Sequence, residues 1–114
     1  MAGIITISVD KRWKVSNWVY WNFMDHVLGS MKEASNAALF VETCKWMQGL
    51  DIPLMNGEQR GIAVEVLTAL KTAAENCSDG RVSCSVDGRV LDEASQREFR
   101  DLTGILLRML ETLP

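Results

Sequence analysis

One histidine and three cysteines are the side chains in this sequence best suited to acid–base or nucleophilic work near neutral pH. His26 follows Asp25 directly, and Cys44, Cys77 and Cys84 lie well downstream. A thiol–imidazole pair needs the ring within hydrogen-bond reach of sulfur and a third group to orient it. Asp25 is a poor orienter, because adjacent residues point about 100° apart around a helix. Nothing near the cysteines resembles a nucleophile elbow or a protease signature. Chemistry is therefore the alternative reading: a small enzyme or ligand-binding domain with an interhelical pocket using His26, Asp25 and Cys44.

Other site chemistries have less behind them. Structural zinc wants four ligands at paired short spacings. Cys77 and Cys84 are too far apart for C-x-x-C, and one histidine completes no second pair. Asp79, Asp87, Asp92 and Glu93 cluster without the alternating ladder of a calcium loop. Gly80 and Gly88 are isolated turn glycines rather than a phosphate cradle. No metal or cofactor is expected. Two small, half-buried thiols are the favoured reading of Cys77 and Cys84, and an odd cysteine count fits a reducing compartment.

Surface recognition is the reading preferred here. Trp18 falls opposite the apolar stripe of its helix, beside Asn22 and Asp25, and Trp13 stands just before it among Lys11, Arg12 and Lys14. Tryptophan is enriched at interface hot spots. Trp13, Trp18, Asn22 and Asp25 are the expected protein-binding patch, although a first-turn tryptophan also has the option of folding back over the core edge. The segment Lys11–Lys14 has the composition to grip phosphate while an indole stacks on a base. Three charges on one loop of an acidic protein are more often solvated surface, so nucleic acid is not an expected partner. A further apolar loop, Leu50 to Met55, either tucks under the helices or offers a sticky surface to a second protein or a second copy.

These residues need elements to hold them. Residues 4–9 alternate β-branched and polar side chains and read as a strand, with a polar connection at 10–14. Ser16 is placed to cap a first helix that ends at Gly29, and Ser30 heads an S-x-x-E box opening the second. That helix is expected to run to Gln48 and stop at Gly49. The third spans about 57–76 behind an Asn-led box. Asp79-Gly80-Arg81-Val82 is echoed as Asp87-Gly88-Arg89-Val90, and Asp-Gly is a favoured hairpin turn. Arg81 and Arg89 have the default role of discouraging edge pairing. Ser95 is placed to cap the last helix. Stripes at helical spacing define the core: Tyr20, Phe23, Met24, Val27, Leu28 and Met31; Ala37, Phe40, Val41, Cys44 and Met47; Ile62, Val66, Ala69, Leu70 and Ala73; Phe99, Leu102, Leu106, Met109, Leu110 and Leu113. Leu39 and Trp46 add a second apolar side to the second helix, which places it in the middle.

Composition agrees with such a fold. Of 114 residues, 47% are hydrophobic and 24% charged, enough for one domain (1–114) with its own core. Net charge is -3, with five basic and four acidic residues in 1–50 and seven against eleven in 51–114. No apolar run approaches the roughly 20 residues that span a bilayer, and the first residues lack a signal peptide's pattern. The expected fold class is α+β and mainly α: a four-helix core, a short N-terminal strand, and a small hairpin at 81–92 before the last helix. The expected function is a small soluble cytoplasmic protein-interaction module, of inhibitor or immunity, adaptor or homo-oligomer type. Its partner is another protein or a second copy, without a membrane.

Overall fold

A computed structural model describes residues 2–8, 10–31, 36–53, 60–80, 85–86 and 89–112. The protein is α+β and mainly α. Its elements are β1 (Ala2–Ser8), β2 (Lys11–Ser16), α1 (Asn17–Gly29), α2 (Asn36–Met47), β3 (Gly49–Asp51), α3 (Arg60–Ser78), β4 (Ser85–Val86), β5 (Arg89–Val90) and α4 (Glu93–Glu111).

The sheet is larger than the sequence reading gives it. β1 is the centre of three strands in the order β2-β1-β3. It pairs antiparallel with β2, Ile5 facing Trp13 and Gly3 facing Val15, and parallel with β3, Ile5 facing Leu50. The polar connection expected at 10–14 is largely strand. Its period is two, because Trp13 and Val15 are buried while Arg12, Lys14 and Ser16 are exposed. β3 comes from the segment read as loop. Leu50 and Ile52 are 2% and 5% exposed, so this part tucks under the helices. Leu54 and Met55 lie outside the described residues. The hairpin is present as β4 paired with β5, Ser85 opposite Val90 and Val86 opposite Arg89. Its expected turn at 87–88, together with Arg81 and Cys84, lies outside the described residues.

Helix ends show where competing groups take over. Ser16 is the N-cap of α1 with extended backbone, but its side chain makes no capping bond. At the other end Gly29 remains helical, and Ser30 closes α1. The Ser30 amide donates to the His26 and Val27 carbonyls at 3.1 Å, and its Oγ donates to the His26 carbonyl at 3.0 Å. One serine thus serves several of the carbonyls a helix leaves orphaned. The box residue Glu33 is outside the described residues, and α2 begins at Asn36. α2 stops one residue earlier than expected. Gln48 takes the left-handed conformation at φ 57°, and its carbonyl accepts from the Ile4 amide at 3.1 Å, which steers Gly49 into β3. α4 begins earlier than expected as well. Asp92 is its N-cap and accepts from the Ser95 amide at 2.9 Å, so Ser95 is the third helical residue and not the cap. The Asn-led box before α3 lies largely in 54–59, outside the described residues.

The core sits between the inward sheet face and the four helices. It contains Ile5, Ile7, Trp13, Val15, Tyr20, Phe23, Met24, Val41, Val66, Leu70, Phe99, Leu106 and Leu110. Buried alanines at 63, 69, 73 and 74 let α3 lie close to its neighbours. β1 approaches α1 so closely that a Cβ added at Gly3 would stand 2.1 Å from the Tyr20 ring. The same ring donates its hydroxyl to the Cys44 carbonyl at 2.9 Å, tying α1 to α2. Burial, reinforced by the neighbouring Cys44, raises the Tyr20 hydroxyl far above its usual pKa. Two expectations for α2 reverse. Met47 is 77% exposed and not core, and Leu39 and Trp46 are exposed, so α2 does not lie in the middle.

Candidate functional site

The four residues expected as one patch are placed in different surroundings. Trp13 is 2% exposed. Its strand turns the indole inward, where Nε1 donates to the Leu102 carbonyl at 2.9 Å and the ring meets Phe23 edge-on at 5.2 Å. It joins β2 to α4 and is no surface anchor. Trp18 is half-buried, with its ring 6.4 Å from Phe99. Asn22 is buried between α1 and β4. Nδ2 donates to the Trp18 carbonyl at 2.8 Å, and Oδ1 accepts from the Ser85 amide at 2.9 Å. Of the four, Asp25 alone is exposed.

Asp25 leads to a different cluster. Its carboxylate forms an ion pair with the Lys45 ammonium, joining α1 to α2. The same ammonium lies 5.2 Å from the centre of the Trp21 ring, within cation–π range. Trp21 in turn packs edge-to-face on Trp46, ring centres 5.1 Å apart. Helical geometry explains the assembly. Trp21 and Asp25 are four residues apart on α1 and so share one face, which Lys45 and Trp46 of α2 meet from the other side of the seam. Trp46 nevertheless keeps 63% of its surface in solvent. Leu39, two turns back on the same line of α2, keeps 65%, and Met47 keeps 77%. The Trp21 indole N–H is sealed from water and has no hydrogen-bond partner among the described residues. An unspent buried donor costs about 1–3 kcal/mol.

Sequence reasoning missed Trp21 and Trp46 as site residues. The available signal was the i, i+7 pair of large apolar residues, Leu39 and Trp46, on a helix whose other face was already sufficient for the core.

The alternative site divides. An open cleft of about 240 Å³ lies where α1 meets α3, lined by Asp25, His26, Gly29, Ser30, Ala73 and Asn76. His26 and Asp25 share it, with the His26 ring 6.1 Å from Phe99. Cys44 does not line it. That thiol is buried, and burial pushes its pKa up to about 11, which keeps it protonated and a poor nucleophile near neutral pH. Among the described residues no group of His, Cys, Asp and Glu is arranged to hold a metal ion, and no described helix is long and apolar enough to cross a membrane. Comparison with protein families, with characterised proteins and with solved structures finds no match to this chain.

Proposed function

We propose that this protein is a small cytoplasmic interaction module, an inhibitor, immunity-type protein or adaptor, that binds another protein through the α1–α2 seam. The observation that carries this reading is the run of Leu39, Trp46 and Met47, three large apolar side chains of one helix at 63–77% exposure. Isolated exposed apolar residues are common on protein surfaces; three large ones on a single short helix beside charged groups have the composition of an interaction site. Here the rim is Asp25 and Lys45. Trp46 is the central anchor, since a tryptophan carries a large apolar area with few rotatable bonds. The partner is a different protein with an apolar groove rather than a nucleic acid.

The test compares proteins retained from the native host by wild type and by Trp46→Ala. The expected result is a partner held by wild type and lost by the variant, with both melting within about 2 °C, since exposed substitutions usually change stability by under about 0.5 kcal/mol. Equal retention by both, or early melting of the variant, overturns the reading. The α1–α3 cleft supports a second reading, a small-ligand site at Asp25 and His26. That reading requires His26→Ala to abolish binding of a small molecule while Trp46→Ala leaves it intact.

A further inference from the structure

The outer edge of the sheet has a charge opposite to that of the chain as a whole. β2 ends the strand order, and three of its six residues, Lys11, Arg12 and Lys14, are basic, exposed and unaccompanied by any acid in the strand. The chain as a whole carries -3. Register fixes where these charges point. Arg12 lies opposite Thr6 and Lys14 opposite Ile4, and those two β1 residues lie opposite Asp51 and Gly49 of β3. Arg12 and Lys14 therefore stand on the outward sheet face, while Trp13 and Val15 face the core. Lys11 is held aside, donating to the Thr112 hydroxyl of the α4 end at 2.7 Å. Among the described residues neither Arg12 nor Lys14 forms an ion pair. No backbone hydrogen bond there joins β2 to any strand but β1. An edge strand presents a row of outward N–H and C=O groups, a template for one more strand.

We propose that this edge receives an extended acidic peptide as a fourth strand, its main chain pairing with β2 and its carboxylates meeting Arg12 and Lys14. A new strand would lie about 4.8 Å away, which brings same-face side chains within contact. Main-chain bonds then supply affinity and the charges supply selectivity. A second copy docked through the same edge would set Arg12 and Lys14 against their own equivalents, and like charges across a strand pair are unfavourable. Single-stranded nucleic acid needs aromatic rings on which to stack its bases. The outward face offers Ile4, Thr6 and Ser8 instead, with the one indole of β2 turned inward.

The test uses the full chain with four probes: a blocked decapeptide alternating Glu and Thr, its Lys-for-Glu counterpart, the acidic peptide N-methylated at every residue, and a ten-nucleotide oligothymidylate. Amide chemical shifts and amide exchange are followed at residues 11–16. The acidic peptide is expected to shift these amides and slow their exchange, with the Lys peptide at least about tenfold weaker. N-methylation is expected to abolish binding, because it removes the donors that strand pairing uses. Arg12→Glu/Lys14→Glu should reverse the preference between the two peptides. Undiminished binding of the N-methylated peptide, equal binding of both charge types, or tighter binding of the oligonucleotide overturns the proposal. The N-methyl comparison is made on wild type, so it stands even where the double variant folds poorly.

Discussion

Trp13 and Trp46 show how differently one residue type serves in this molecule. Trp13 has its ring on Phe23 and its N–H on the Leu102 carbonyl, so removing it both empties core volume and orphans a carbonyl. Trp13→Ala should cost about 3–5 kcal/mol in chemical denaturation. Trp13→Phe keeps most of the volume and should cost about 1–2 kcal/mol, mainly through the lost hydrogen bond. A loss under 0.5 kcal/mol for Trp13→Ala would mean that the indole is not where the structure puts it. Gly3 makes a comparable claim from the opposite direction. A Cβ there would stand 2.1–2.4 Å from three Tyr20 carbons, and the Tyr20 hydroxyl bond to Cys44 restrains the ring from retreating. Gly3→Ala should therefore cost about 1–3 kcal/mol. Gly29→Ala, with nothing within 4 Å of the added carbon, should be neutral or stabilising by up to about 1 kcal/mol in the same assay. Sequence alone does not separate these two glycines, because each owes its role to what stands beside it.

At the scale of elements, helix caps were readable only in part: Ser16 stands at its expected place without a capping bond, while the cap of α4 lies three residues before Ser95. Asp92, and not Ser95, caps α4, and its bond to the Ser95 amide holds its carboxyl below the usual aspartate pKa. A folded-state pKa below the unfolded value means that the contribution to stability is present above the unfolded value of about 3.9. It disappears as pH falls through the depressed folded value. Asp92→Ala should thus lower the melting temperature at pH 7 and narrow its difference from wild type progressively below pH 4. A difference that stays constant from pH 7 down to strongly acid conditions would contradict the capping role. The four helices were legible because their apolar stripes repeat every three to four residues and most of those stripes are buried. β2 carried an equally plain signal, buried Trp13 and Val15 alternating with exposed residues, but three charges in four positions resemble a loop. β3, three residues long and parallel to β1, has no local signature, since its pairing is decided by a strand more than forty residues earlier.

The whole molecule has more apolar helix surface than its core needs. α1 is packed by α2, α3 and the sheet, so nearly all of its positions find cover. α2 packs on α1 and α3 through Ala37, Val41 and Cys44, and its remaining side is left to Leu39, Trp46 and Met47. That choice between two apolar sides of one helix is set by how the helices are arranged, which a stripe on a single helix does not encode. The expected patch failed for the same reason. Trp13, Trp18 and Asn22 are near Asp25 in sequence, yet the sheet, α4 and β4 draw them inward, while Lys45, Trp21 and Trp46 collect around Asp25 from two helices. Which residues of α1 and α2 meet in space could not be read in advance. The most direct measurement follows the four indole N–H resonances of the nitrogen-15-labelled protein during titration with the partner retained by wild type. The Trp46 signal should shift or broaden on binding while the Trp13 signal, bonded to Leu102, stays in place and resists hydrogen exchange. A shifted Trp13 beside an unmoved Trp46 would contradict the account.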